Sequence, residues 1–196
     1  RYWVLTETTN IQDILLFWFD FVKLALRDSY VLPINLMTNF SFLKQEFPQL
    51  FSEATEAEKH TFTAPKYAAL LSRTALEKAV YWLYENDRDL SIPYSPNLST
   101  LIHEQSFRNI VGQQMFQEIN VIRLTGNNAA HGKSVSQNEA LVSLKRLFRF
   151  LSLVSKYYRE ENTVIPAFDE NLIPDGKEKD KTIKELKTKA DELAQQ

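Results

Sequence analysis

Cysteine is absent from the 196 residues, which excludes disulfide bonds, thiolate zinc sites and cysteine nucleophiles. Glycine and proline are scarce, at 4 and 7 residues, and because all-β sandwiches need many such turns, the shortage favours helices. The formal net charge of −2 argues against electrostatic binding of nucleic acid by the chain as a whole, but it is compatible with a local basic patch. A composition without cysteine is typical of the cytosol, so we expect a cytoplasmic protein.

No stretch of the sequence is apolar for long enough to predict a membrane span. The most apolar segment, residues 11–27 (IQDILLFWFDFVKLALR), carries Asp13, Asp20 and Lys23, and a spanning helix needs roughly 20 uninterrupted apolar residues. No small-residue cleavage site follows it, so it is not a signal peptide. We interpret it as an amphipathic helix and expect no membrane partner, with binding at a membrane surface as the open alternative.

The composition changes twice along the chain. Residues 1–36 begin without methionine, whereas MTNFSFLKQEF from Met37 is typical of a natural protein start, so we expect an N-terminal extension that forms an amphipathic helix. Residues 37–162 predict a helical bundle. Residues 163–196 predict a linker and the start of a coiled-coil-prone helix that leads to further domains. The apolar positions of that heptad pattern are Ile183, Leu186, Ala190 and Leu193.

Within the predicted bundle, apolar residues recur every three or four positions. The pattern is clearest over 64–87, and it returns in a final long helix over 137–161. Asn97 or Ser99 is predicted to cap a short helix in LSTLIHEQSF. The next predicted helix contains Gly126, which costs it about 1 kcal/mol relative to alanine. The fold class is therefore predicted as all-α, an up-and-down bundle of four or five helices.

The familiar signatures of several enzyme classes are missing. The sequence contains no G-x-x-x-x-G-K-[ST] phosphate loop, no H-E-x-x-H and no G-x-S-x-G nucleophile turn. Its three histidines, His60, His103 and His131, are far apart in the sequence. We therefore predict no nucleotide hydrolysis of the phosphate-loop type and no metal site in these residues.

Two stretches, YAALLSRTALEKAVYWLY (67–84) and IRLTGNNAAH (122–131), resemble the paired signatures of a helical domain of unknown function in the HEPN superfamily. In the first stretch the matching positions are Ser72, Arg73, Leu76 and Glu77. In the second stretch they are Arg123, Gly126, Asn127, Ala129 and His131. By helix order and spacing, the resemblance covers roughly 38–160 and implies a HEPN-like bundle.

Within that family, NFSFLKQEFPQLF and NLSTLIHEQSFRNIVG are most similar to the N-terminal domain of type I restriction enzyme R subunits. The resemblance implies a non-catalytic interaction module that contacts the rest of its own chain, other restriction-modification subunits, or DNA through the parent complex. The parent would be a site-specific deoxyribonuclease, a hydrolase driven by ATP. ATP and Mg²⁺ would belong to its nuclease and motor domains, and no cofactor is expected in these residues.

The motif residues suggest a structural role. Arg73 and Glu77 are four residues apart and can pair along one helix, or Glu77 can accept a hydrogen bond from Arg123 or Asn127 across a buried face. Gly126 would let another helix approach closely. We therefore predict a structural or interaction motif made of Arg73, Glu77, Arg123, Gly126, Asn127 and His131.

A second interpretation is a HEPN-type, metal-independent endoribonuclease that acts as a dimer. By resemblance, its catalytic candidates are Arg123, Asn127 and His131, with the histidine acting on a ribose hydroxyl proton and the arginine stabilising phosphate charge. Those enzymes place four to six residues between arginine and histidine, whereas seven separate them here. Eight steps along an unbroken helix span about 12 Å. The pair can therefore share a phosphate only if the helix breaks near Gly126 or a second subunit contributes.

A third interpretation is a stand-alone nucleic-acid-binding domain. Lys145, Arg146 and Arg149 lie partly on one side of the last predicted helix and would contact phosphates. The competing interpretation of these cations is an ordinary solvated helix surface.

Overall fold

The computed structural model describes residues 37–158 and 164–175. The chain divides after Met37, and the architecture below is that of the second unit, Thr38–Gln196. The amphipathic helix predicted within 1–36 and the heptad-patterned helix predicted within 176–196 lie outside the described residues.

The described residues form five α-helices and contain no strand. Two 3₁₀ turns, Ser41–Leu43 and Glu170–Leu172, flank the helices in sequence. The prediction of an all-α fold is confirmed. The helices are α1 Pro48–His60, α2 Pro65–Asn86, α3 Leu98–His103, α4 Gln105–Ala130 and α5 Gln137–Tyr158.

Helix starts follow local chemistry. Pro48 and Pro65 occupy the first positions of α1 and α2, where a missing N–H costs nothing and the fixed φ suits a helix. Asn97 caps α3 in a reciprocal capping box, because Thr100 N donates to Asn97 Oδ1 at 3.1 Å and Asn97 N donates to Thr100 Oγ1 at 2.9 Å. Of the two predicted caps, Asn97 is the one used.

The helix predicted in LSTLIHEQSF (98–107) is shorter in the structure than that stretch. The short helix ends at His103, and residues from Gln105 onward already belong to α4. Glu104 is extended and accepts a hydrogen bond from Ser106 N, so it caps α4. At Gly112 the regular helix of α4 is interrupted by a backbone with φ 75° and ψ 164°, a conformation essentially restricted to glycine.

Ring and ion-pair contacts fix the helix directions. A short connection joins the end of α1 to the start of α2, and Glu53 of α1 pairs with Lys78, further along α2, so those two helices are antiparallel. Tyr84 stacks on Phe107 at 6.2 Å, while Gly126 lies against Arg73, so α4 is antiparallel to α2.

The last helix follows the direction of α2. Gln137, at the start of α5, donates to the carbonyl of Phe62 beside the start of α2. At the other end, Trp82 and Tyr158 meet edge to face at 5.8 Å. The long helices α1, α2, α4 and α5 therefore run up, down, up and down, as the sequence predicted.

The core lies between these helices and is dominated by aliphatic and phenyl side chains with essentially no exposure. Residues 164–175 return to the bundle after α5 and contribute Ile173, which is 4% exposed, to the same core. The largest fully buried side chains include Phe40, Phe107, Phe150, Leu43, Leu76 and Ile122.

Candidate functional site

The two motif stretches lie on α2 and α4 and meet where Gly126 packs on Arg73. A Cβ built on Gly126 would lie 2.4 Å from Arg73 Cβ, 2.9 Å from Arg73 Cδ and 3.0 Å from the carbonyl oxygen of Ala69. Real Cβ atoms essentially never approach other heavy atoms that closely. The helices therefore touch at a separation that only glycine permits.

Arg73 pairs along its own helix. Its Nη1 lies 3.5 Å from Glu77 Oε2, and the two side chains are 29% and 30% exposed. Arg73 Nε is buried and has no hydrogen-bond partner among the described residues. The aliphatic stem of the arginine covers Gly126 while its head stays partly in water, as long cationic side chains commonly do.

Arg123 is engaged by a residue that the motif comparison missed. Its Nε and Nη2 donate to Asn120 Oδ1 at 3.1 and 3.0 Å. Within the described residues, neither Arg123 nor the half-buried Asn127 donates to Glu77. Asn120 and Arg123 are three residues apart on one helix, and side chains at that spacing are neighbours. This spacing could have predicted the contact with Asn120 that replaces the expected contact with Glu77.

His131 is the C-cap of α4 and is exposed. Its backbone N–H bonds the carbonyl of Asn127 at 2.9 Å, and its side chain makes no hydrogen bond to any described residue. Because α4 continues without a break through Gly126 to Ala130, Arg123 and His131 remain about 12 Å apart along the helix axis. One chain therefore does not bring the two around one phosphate.

Two of the four basic residues of α5 are paired with acids of the same chain. Lys145 forms an ion pair with Glu170, and Arg149 Nε lies 2.6 Å from Glu118 Oε2. Arg146 is half-buried and forms no ion pair with a described residue. The positive field of this face is reduced accordingly.

A polar cluster absent from the sequence predictions surrounds Glu58, which is 3% exposed on α1. Its carboxylate accepts from the Thr38 hydroxyl, from Asn39 N at 3.2 Å, and from the Asn39 side-chain amide. Burial raises the pKa of Glu58 above its ordinary value of 4.5, although these hydrogen bonds oppose the shift. The stretch EATEAEKH, which contains Glu58, has the acidic composition of a helix face exposed to solvent. The sequence therefore gives no sign that Glu58 is buried, and the cluster is visible only in the three-dimensional contacts.

In residues 37–158 and 164–175, no group of three or more His, Asp or Glu side chains has the arrangement of a metal site. None of the helices in those ranges has the length and apolar character to cross a membrane.

Comparison with known proteins gives one match. A family model described as "Domain of unknown function (DUF4145)" matches residues 55–196, which include both motif stretches. The searches of curated proteins and of solved structures each found no match.

Proposed function

The chain belongs to the DUF4145 family, and from that premise we propose that it is a non-catalytic interaction module. Its parent would be the R subunit of a type I restriction enzyme, an ATP-dependent DNA translocase and endonuclease. The module would contact the nuclease and motor domains of its own chain, other restriction-modification subunits, or DNA through the parent complex. ATP and Mg²⁺ would bind to those other domains. A cytoplasmic location goes with this proposal.

The observation that carries the proposal is the contact between the two motif stretches. Gly126 is covered by the stem of Arg73, Arg73 pairs with Glu77, and Arg123 is held by Asn120. The packing of Gly126 on Arg73 joins α4 to α2, while the other two contacts each lie within one helix and orient the two arginines. A site that binds a substrate would instead be a concave pocket on which several polar groups converge.

We also propose that the bundle is HEPN-like. The up-and-down order of the long helices and the placement of the two signatures on neighbouring antiparallel helices support this assignment. One fold can carry unrelated functions. A HEPN-like bundle therefore describes the fold, and the function is tested by the experiments below.

The reading frame and its genomic neighbours test the parent assignment. We expect motor and nuclease motifs either in frame with these residues or in an adjacent gene of one operon. A frame that ends shortly after residue 196, with no restriction gene nearby, would overturn the assignment to an R subunit and leave the scaffold role to be judged by the next experiment.

A ribonuclease assay separates the scaffold from the enzyme alternative. The full chain, in a buffer with EDTA, is incubated with end-labelled RNA beside a His131→Ala variant. The scaffold role predicts that RNA remains intact with both proteins. Cleavage that is abolished in the His131→Ala variant, while its thermal unfolding is unchanged, would establish the ribonuclease and refute the proposal.

A further inference from the structure

Residues 164–175 (VIPAFDENLIPD), called the strap below, lie on an aromatic patch made of Phe40, Phe42 and Phe148. Within the patch, Phe148 meets Phe40 at 5.8 Å and Phe42 at 5.6 Å, both edge to face. The strap adds Phe168, whose ring centroid lies 5.2 Å from that of Phe148. The strap thus continues an edge-to-face array, an arrangement that stabilises aromatic pairs.

Asn39 and Lys145 of the bundle make polar contacts with the strap. The side-chain amide of Asn39 makes two hydrogen bonds with the backbone of Asp169. Asp169 N donates to Asn39 Oδ1 at 2.7 Å, and Asn39 Nδ2 donates to the Asp169 carbonyl at 2.9 Å. On the other side, Lys145 pairs with Glu170 and lies 6.0 Å from the centroid of the Phe168 ring. The bundle therefore recognises one backbone unit, one acidic side chain and one aromatic ring.

Contacts inside the bundle, independent of the strap, orient the recognising amide. Asn39 is 1% exposed, and its backbone N–H and Nδ2 both donate to the carboxylate of Glu58. One hydrogen of Nδ2 is thereby committed to Glu58 and the other points at the strap, with Oδ1 left to accept. A preorganised contact of this kind lowers the entropy cost of binding.

The strap buries little apolar surface. Ile173 is its one buried side chain, while Ile165 and Phe168 are packed against the core only in part. Other positions, including Asp169, Glu170 and Val164, are exposed. Segments with little buried apolar area open locally at a small fraction of the global free energy of unfolding.

We propose that the strap is a displaceable ligand that occupies the aromatic patch in cis, and that the patch is a docking site for a short extended segment of the same chemistry. Such a segment carries an aromatic residue, an acidic residue two positions after it, and an aliphatic residue five positions after the aromatic one. In this chain those positions are Phe168, Glu170 and Ile173. While the strap is seated, it blocks other segments. This proposal does not depend on the restriction assignment.

Peptide binding in trans tests the docking site. The probe is a fluorescein-labelled synthetic peptide with the sequence of residues 164–175, and the receptors are the full chain and its Phe168→Ser/Ile173→Ser variant. We expect the variant to bind the peptide at least tenfold more tightly than the unaltered chain, because a tethered strap competes at an effective concentration in the millimolar range. The matched controls are a chain carrying Val164→Ser and a peptide carrying Phe168→Ser, neither of which should show the gain.

Two binding results would overturn the proposal. The first is that the double variant unfolds cooperatively but does not bind the peptide. The other is equal binding by the double variant and the unaltered chain, since an occupied patch must compete.

Hydrogen exchange on the chain decides the matter if the double variant does not fold. The amides of Asp169 and Ile173 should exchange at least tenfold faster than amides in the middle of α2. Asn39→Ala should speed exchange at Asp169 further and leave the middle of α2 unchanged, whereas Asn128→Ala should do neither. Strap amides as slow as those of α2 would show that the strap does not open separately and would refute the proposal.

Discussion

At the scale of single residues, Gly126 shows how the two motif stretches depend on each other. Alanine at a helix interior normally stabilises by about 1 kcal/mol relative to glycine. Here the added Cβ would fall 2.4 Å from Arg73 Cβ, and a Cβ is too close to its backbone to move aside alone. The cost of overpacking, about 1–3 kcal/mol, therefore exceeds the gain in helix propensity.

We accordingly expect Gly126→Ala to lower the free energy of unfolding by about 1 kcal/mol or more, within the range for overpacked sites. Urea unfolding followed by circular dichroism measures the change. Asn128→Ala, at an exposed position two residues further along α4, is the control and should cause no loss. A stabilised Gly126→Ala variant would mean that α2 and α4 do not make this close contact.

Glu58 gives a second residue-scale prediction, this one in pH. Burial raises its pKa in the folded state, so the native protein binds more protons than the unfolded chain between the unfolded and folded pKa values. The free energy of unfolding therefore falls as pH rises through that window. Glu58→Gln keeps an acceptor oxygen for Asn39 and removes the titrating group. The difference in free energy of unfolding, variant minus unaltered protein, should therefore become more positive between pH 4 and pH 7.

Glu56→Gln on the same helix is the matched control. Burial raises the pKa of Glu56, but the hydrogen bonds and the positive charges of His60 and Lys59 together outweigh it and hold that pKa below 4.5. Its contribution to stability is present above the unfolded pKa and is lost on acidification, so this variant should lose relative stability as pH rises. Parallel trends for the two variants in urea titrations at both pH values would contradict the assignment for Glu58.

At the scale of helices, α4 contains two glycines with opposite physical reasons for being there. Gly126 has a crowded surrounding, whereas a Cβ on Gly112 would meet nothing within 4 Å. Gly112 is required by its backbone, since φ 75° and ψ 164° are strained for any L side chain. The interruption separates residues 105–111, which directly follow α3 in the chain, from the main part of α4.

We expect Gly112→Ala to destabilise the fold by about 1–3 kcal/mol, the cost of forcing an L residue into that region. Unfolding in urea is again the measurement, and Gln114→Ala, at an exposed helical position, is the control. If Gly112→Ala instead stabilised by the amount usual for a glycine in a helix, α4 would be regular through this position.

Helix positions were largely predictable because their determinants are local. Pro48 and Pro65 mark helix starts, and Asn97 has its capping partner three residues away. The boundary at Glu104 was not predictable, since no glycine or proline marks it and the apolar pattern continues through it. Partners in the site were harder still: Glu58 and Asn39 are 19 residues apart, and Asn39 and Asp169 are 130 apart. Nothing in a local pattern encodes such pairs.

At the scale of the whole molecule, the acidic and basic residues largely cancel. The formal net charge is −2, and two of the three cations predicted to bind nucleic acid have acidic partners. Glu170 of the strap and Glu118 of α4 both reach the side chains of α5. A phosphate would have to displace these carboxylates, so little counterion release is available to drive binding.

We therefore expect only weak binding of a 20-base-pair DNA by the full chain, with little dependence on salt between 50 and 200 mM, measured by fluorescence anisotropy. Arg146→Glu should leave the affinity unchanged within about twofold, because we expect Arg146 to make no phosphate contact. Loss of one phosphate contact would lower the slope of log affinity against log salt by roughly one. Glu118→Gln supplies the converse test, since it frees Arg149 and should strengthen binding if phosphates reach α5 at all. A steep salt dependence in the unaltered chain, lost in Arg146→Glu, would show that the last helix is a nucleic-acid interface despite its paired charges.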